Sequence, residues 1–268
     1  ININGLDENI DVLEMIGRHL PKKEYFTIRT NPGNIGGNAN IALGYALCSS
    51  SDYLWILSDN DIINNTLVDR VLKAIKESKP DIIILNIQSK HITSHFAYES
   101  LTLNQFNPLW GLGLISRGVY RISYVSAYLE YAYLYHNSSF PHLAVFFAAF
   151  KHHGSCNAYF VETNCFKEEC EPDHDHVGEY SLSYSGRAQL INLIPRALRR
   201  YYAWELVNSI NSSLLRGLRR YPFVFITSAL YILVYAPLVF LVTPVTVASS
   251  LGRSIYAKAR QLINPRKR

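Results

Sequence analysis

Asp59 and Asp61 flank Asn60 in the stretch "LWILSDND", where an apolar run that reads as a buried strand gives way to carboxylates. Two hard oxygen ligands at the end of a strand suit Mg²⁺ or Mn²⁺, which are commonly held by one or two carboxylates together with substrate phosphates. The tetrapeptide "SDND" that ends it also suits an Asp/Asn turn or the N-cap of a following helix. Upstream, "NPGNIGGNANIALGYA" (Asn31 to Ala46) sets an Asn/Gly-rich turn ahead of a helical pattern. The amino end of a helix after glycines leaves backbone N–H groups free for an anion. Together the two stretches fit a site that holds an anionic ligand and a divalent metal.

The elements around them alternate. "ININ" reads as a short strand followed by a turn at Gly5 and an amphipathic helix, "EYFTIRT" as a strand and "NANIALGYALCSS" as a helix. "DYLWILSD" reads as a strand, "NTLVDRVLKAIKESK" as a helix with Leu67, Val71, Leu72 and Ile75 on one stripe, and "PDIIILNI" as a continuous apolar strand. Alternation of this kind predicts an α/β fold with a mostly parallel sheet flanked by helices, whose ligands bind at the carboxyl ends of the strands. Residues 91–106 lack a clear period and read as a long functional loop, and "GLGLISRGVYRISYVSAYLEYAYLY" returns to helix-like spacing. The opening at Ile1 reads as an α/β unit entered midway, with a first strand expected before it.

The order and spacing of "NPGNIGGNANIAL" and "DYLWILSDND" resemble the family 2 glycosyltransferases of the GT-A fold, over roughly residues 1–184. The resemblance matches Gly36 and Gly37 to the family's glycine turn, Asn40 to the Asn that follows it, and Asp59 and Asp61 to its D-x-D, with Asp61 the more direct metal ligand. Asn4 falls in the turn that ends the family's second strand and is expected to contact donor. What the resemblance implies is metal-dependent, inverting transfer of a sugar from a nucleotide-diphosphate donor to an acceptor hydroxyl. Two departures stand out: the family's first strand is missing, and Asn4 and Leu6 replace commoner Asp and Ser.

Such a transfer needs a general base as well as a metal. Where the family carries an acidic pair at a helix start, this chain has "SSFPHLAVFFAAFKHHG". Ser139 can cap this helix and Pro141 suits its first turn, so His142 is expected to project toward the sheet edge as the base. A capping or acceptor-binding role for His142, with Glu130 or a later acid as base, is the other possibility. "CFKEECEPDHDH" sets Cys165, Cys170, His174 and His176 close together. Its spacing fits no common zinc pattern. By the resemblance, His174 or His176 is instead an additional metal ligand on a loop over the diphosphate. Trp110, in the Gly-rich "NPLWGLGLIS", is the candidate for stacking on an acceptor sugar, whereas the tyrosines of "SYVSAYLEYAYLYH" suit packing.

Charge divides the chain. From Arg196 onward there are twelve Lys/Arg against one acid, Glu205, leaving fourteen bases and twenty acids before it. "PRALRRYYAWELVNSINSSLLRGLRRY" reads as a basic amphipathic helix for an anionic membrane surface, and the uncharged run from Tyr221 to Gly252 argues against nucleic acid as the partner. Pro237 and Pro244 interrupt that run and basic residues flank both ends, which predicts a re-entrant or interfacial segment in place of a single span. The expected division is therefore a GT-A-like domain over residues 1–190 and a membrane-associating region over 191–268.

Composition bounds the rest. With 268 residues, 49% of them hydrophobic, the chain can bury a large core. Four cysteines are too few and too irregular for a disulfide framework, so a reducing, cytosolic setting is expected and the N-x-[ST] triplets at Asn64, Asn137 and Asn211 read as chance. The function these observations predict is glycosyl transfer to a lipid-linked or surface-polysaccharide acceptor at the cytoplasmic face of the membrane. The reading from another class is a non-catalytic membrane-binding scaffold that keeps a degenerate GT-A core.

Overall fold

The computed structural model describes residues 2–3, 29–48, 50–57, 63, 65–86, 92–136, 140–162, 189–199 and 201–202. Strands β1 (Asn2–Ile3) and β2 (Arg29–Thr30) pair in parallel. Helix α1 (Gly37–Leu47) leads to β3 (Tyr53–Trp55), and α2 (Asn65–Ser78) leads to β4 (Ile82–Asn86). Then come β5 (Ile92–Ala97), α3 (Leu103–Trp110), two 3₁₀ turns (Gly111–Gly113 and Ile115–Arg117) and β6 (Gly118–Arg121). Short helices α4 (Ile122–Val125) and α5 (Glu130–Leu134) precede α6 (Pro141–His153) and β7 (Ser155–Glu162).

The five-stranded sheet has the order β3-β6-β4-β7-β5. It is mixed, where the sequence predicted a mostly parallel one: β4 and β7 pair in parallel, while β6 runs against both β3 and β4, and β5 against β7. The difference comes from two segments. "GVYR", read as helix-like, is the strand β6 inserted between β3 and β4, with Val119 and Tyr120 turned to opposite faces. Residues 91–106, read as a loop, hold β5 and the amino half of α3, which begins at a capping box in which Gln105 Oε1 accepts from the Thr102 N–H at 2.9 Å.

Helices cover both faces of the sheet, and the apolar run of β4 supplies both. Ile82 and Ile84 face α1, α3 and α6, whereas Ile83 and Leu85 face α2. The buried stripe of α2 is Leu67, Val71 and Ala74, with Ile75 packed beside it; Leu72, expected on that stripe, is exposed. Five residues on from Leu67, it lies about 140° around the helix from it. Gly118 is required by packing, because a Cβ there would lie 2.5 Å from the Tyr120 hydroxyl oxygen.

Two further features set limits on the site. At the amino end of β4, Asp81 accepts the Asn157 N–H at 2.8 Å and pairs with Arg121 at 3.3 Å, tying β4, β6 and β7 together. Residues 189–199 and 201–202 pack into the main core: Leu190, Ile191, Leu193, Ile194, Leu198 and Tyr202 are buried with the sheet and α6. Tyr98 donates its hydroxyl to the Leu193 carbonyl at 2.8 Å, and the Tyr202 ring meets Phe106 edge-on at 6.2 Å. The division expected at 190/191 therefore falls inside a packed segment, and Arg199, read as part of a lipid-facing helix, donates to the Ile194 and Asn192 carbonyls.

Candidate functional site

The sheet has one edge at which β3, β4 and β7 end, at Trp55, Asn86 and Glu162, and at which β5 and β6 begin. Ligands of open α/β sheets gather at the carboxyl ends of strands, where loops are free to carry chemistry. Asp59 follows Trp55 by four residues and His174 follows Glu162 by twelve, so both segments depart from this edge. Asn4, Asp59, Asp61, His174, His176, Cys165 and Cys170 themselves lie outside the described residues, as does everything after Tyr202. Among the described residues no group of three or more His, Cys, Asp and Glu could hold a metal ion. As a donor set, Asp59 and Asp61 offer hard carboxylate oxygens, which fit Mg²⁺ or Mn²⁺.

The glycine turn is built as a rigid approach to α1. Asn34 Oδ1 accepts the Gly36 N–H at 2.9 Å, an Asx-type turn, and the Asn40 N–H donates to the Gly36 carbonyl at 3.0 Å to open the helix. Asn31, buried, donates its side-chain amide to Asn40 Oδ1 at 2.9 Å, so Asn40 locks the turn onto the first helical turn from inside. Gly36 sits at φ 82° and ψ 150°, a region that essentially only glycine occupies. Gly36 and Gly37 are exposed, and a Cβ on either would meet nothing within 4 Å among the described residues, which leaves the amino end of α1 room for a ligand. No acidic residue occupies its first turn to compete for the N–H groups.

His142 stands at the amino end of α6, as expected, but its side chain does not point outward. It is 2% exposed, and its Nε2 lies 2.9 Å from the Leu112 carbonyl. A carbonyl can only accept, so Nε2 carries the proton and Nδ1 is bare; that atom is buried without a partner among the described residues. Burial pushes its pKa down to about 4, against a smaller upward pull from the Leu112 and Gly113 backbone. What is corrected is the outward projection of the side chain: Pro141 opens the helix after Phe140, and the ring turns inward to hold the Gly111–Gly113 turn. Ser139, the expected cap, lies outside the described residues. Trp110 closes α3 immediately before that turn, and its side chain also lies outside them.

Sequence reasoning passed over Arg117. It ends the 3₁₀ turn leading into β6, at the edge just described, and is half-buried with its Nε enclosed and lacking a hydrogen-bond partner among the described residues. The nearby Trp55 indole donates to the Ser116 carbonyl at 2.8 Å and fixes the backbone beside it. The signal was an arginine directly before a strand. It was hidden because "GVYR" was read as helix, which gave Arg117 no edge to stand on.

No protein-family model matches this sequence, and no curated protein matches it.

Proposed function

We propose that the chain is a metal-dependent glycosyltransferase of the GT-A type, moving a sugar from a nucleotide-diphosphate donor to a hydroxyl of a lipid-linked or polysaccharide acceptor. The observation that carries this reading is the shared edge: β3 and β7 run the same way in one sheet, and the segments bearing Asp59, Asp61 and His174 follow their ends. The open amino end of α1, with Gly36, Gly37 and the Asn31–Asn40 bond behind it, supports an anionic donor group. In this reading Asn4 contacts donor and Trp110 the acceptor. A bound Mg²⁺ or Mn²⁺ supplies neutralisation of the leaving diphosphate.

His142 takes a different part in the proposal from the one first expected. An imidazole buried against the Leu112 carbonyl suits a role in positioning the turn after Trp110 better than one as the base on an acceptor hydroxyl. The division of labour is a donor-binding core extending to Tyr202 and a basic, apolar tail after it that attaches to an anionic membrane at its cytoplasmic face. Among the described residues no helix is long and apolar enough to cross a membrane.

The test is incubation of the protein with a panel of nucleotide sugars, Mn²⁺ and lipid-linked acceptors, with chelator as control. Chelator-sensitive release of nucleoside diphosphate with one donor is expected. Absence of both turnover and binding for every donor leaves a membrane scaffold as the function.

A further inference from the structure

Arg117 is held at the working edge of the sheet with unspent binding capacity. It immediately precedes Gly118, whose partner in β4 is Ile84, two residues before the strand ends. Among the described residues its buried Nε has no hydrogen-bond partner and it forms no ion pair. Its guanidinium lies against Gly111, where an added Cβ would stand 4.0 Å from Nη1, so the glycine leaves the arginine its room. Other arginines near the sheet are used: Arg70 donates to the Glu162 carbonyl at 2.8 Å, and Arg121 pairs with Asp81 and donates to the Lys79 carbonyl. A buried N–H of a permanently charged group is costly to leave unmatched, and the planar guanidinium fork suits phosphate oxygens.

We propose that Arg117 binds a phosphoryl group at this edge, where β3 and β4 end and β6 begins. The inference rests on the glycosyltransferase reading for its substrate class, and the phosphoryl group belongs either to the donor diphosphate or to a phosphate of the lipid-linked acceptor. A guanidinium on that group would add to whatever neutralisation a bound divalent cation supplies, and Arg117 can provide it as a charge that no pH change removes. Ser116, fixed by Trp55, sets where the guanidinium starts.

The test titrates inorganic pyrophosphate into the full chain by calorimetry in the presence of Mg²⁺. Wild-type protein is expected to bind, Arg117→Gln to bind at least ~10-fold more weakly with an unchanged melting temperature, and Arg117→Lys, which keeps the charge but not the fork, to fall between them. The lysine variant also guards against a glutamine variant that fails to fold. Wild-type binding that Arg117→Gln leaves unaltered, or no binding by wild type, overturns the proposal. Arg117-dependent pyrophosphate binding in a protein that turns over no nucleotide sugar keeps the phosphoryl site and rejects the glycosyltransferase reading. Turnover with no dependence on Arg117 does the reverse. Where a donor turns over, a rise in donor KM for Arg117→Lys assigns the group to the donor, and a rise in acceptor KM assigns it to the acceptor.

Discussion

The proposed site gives its two titratable candidates, Asp61 and His142, different parts. If Asp61 holds the metal, Asp61→Asn removes charge that an amide cannot replace. Transfer is expected to fall at least ~100-fold and metal-dependent donor binding to be lost, while the melting temperature stays put. Turnover that persists and ignores a metal titration removes Asp59 and Asp61 from the site. His142 answers a stability experiment. Its folded pKa of about 4 lies below the ordinary 6.5, so the unfolded chain takes up the proton first. Stability is therefore expected to be unaffected by this group above pH ~6.5 and to decline as pH falls toward ~4, by on the order of 3 kcal/mol in all. His142→Gln keeps a donor for the Leu112 carbonyl without titrating. Its denaturant midpoint measured against pH should be flatter than that of wild type across this window; identical profiles would show that His142 is not the buried neutral group.

At the scale of the element, the glycine turn and α1 make a prediction that separates two neighbours. Gly36 occupies a backbone region closed to other residues, and Gly37 does not. Gly36→Ala is expected to cost about 1–3 kcal/mol, whereas Gly37→Ala, placed at the first position of a helix with open space around its Cβ, should be neutral or slightly stabilising. Thermal melting of the two variants decides it, and equal losses would mean that the turn does not have this form. The same variants report on function. Even where Gly37→Ala leaves the fold intact, its methyl group would stand at the mouth of the α1 amino end, so donor KM should rise if the proposed anionic donor group binds there. The turn was legible because Asn34, Gly36 and Asn40 act on neighbours a few residues away.

For the whole molecule, the question is where the core stops and the tail begins. A cut after Arg196 discards Leu198 and Tyr202, both buried, and is expected to destabilise the protein by on the order of 5 kcal/mol. A cut after Tyr202 keeps that packing and should melt as the full chain does, yet no longer float with anionic vesicles. The basic residues of the tail contribute on the order of 1 kcal/mol each near such a surface, and its apolar residues add more. Raised salt should then weaken attachment of the full chain without reversing it, since screening removes only the electrostatic part. Complete release by salt alone would place the uncharged run from Tyr221 to Gly252 outside the lipid.

The sequence by itself determined what depends on near neighbours. The glycine turn, the helix after it, the strands of "DYLWILSD" and "PDIIILNI" and the Pro141 helix start all follow from local turn chemistry, capping and periodicity, and all are present. Tertiary structure decided what depends on distant partners. "GVYR" becomes a strand because β3 and β4 offer it hydrogen bonds on both sides, a pairing to segments some 35 to 70 residues away that no local pattern reveals. His142 turns inward because the Leu112 carbonyl, 30 residues earlier, waits there for a donor. Residues 189–199 and 201–202 join the core because Tyr98 and Phe106, about 95 residues upstream, supply a hydrogen bond and an aromatic surface stronger in their claim than the run of arginines suggested. Arg117 gained a function to propose only once β6 had given it an edge to stand on, because burial and the lack of a partner are properties of the packed molecule and not of the chain.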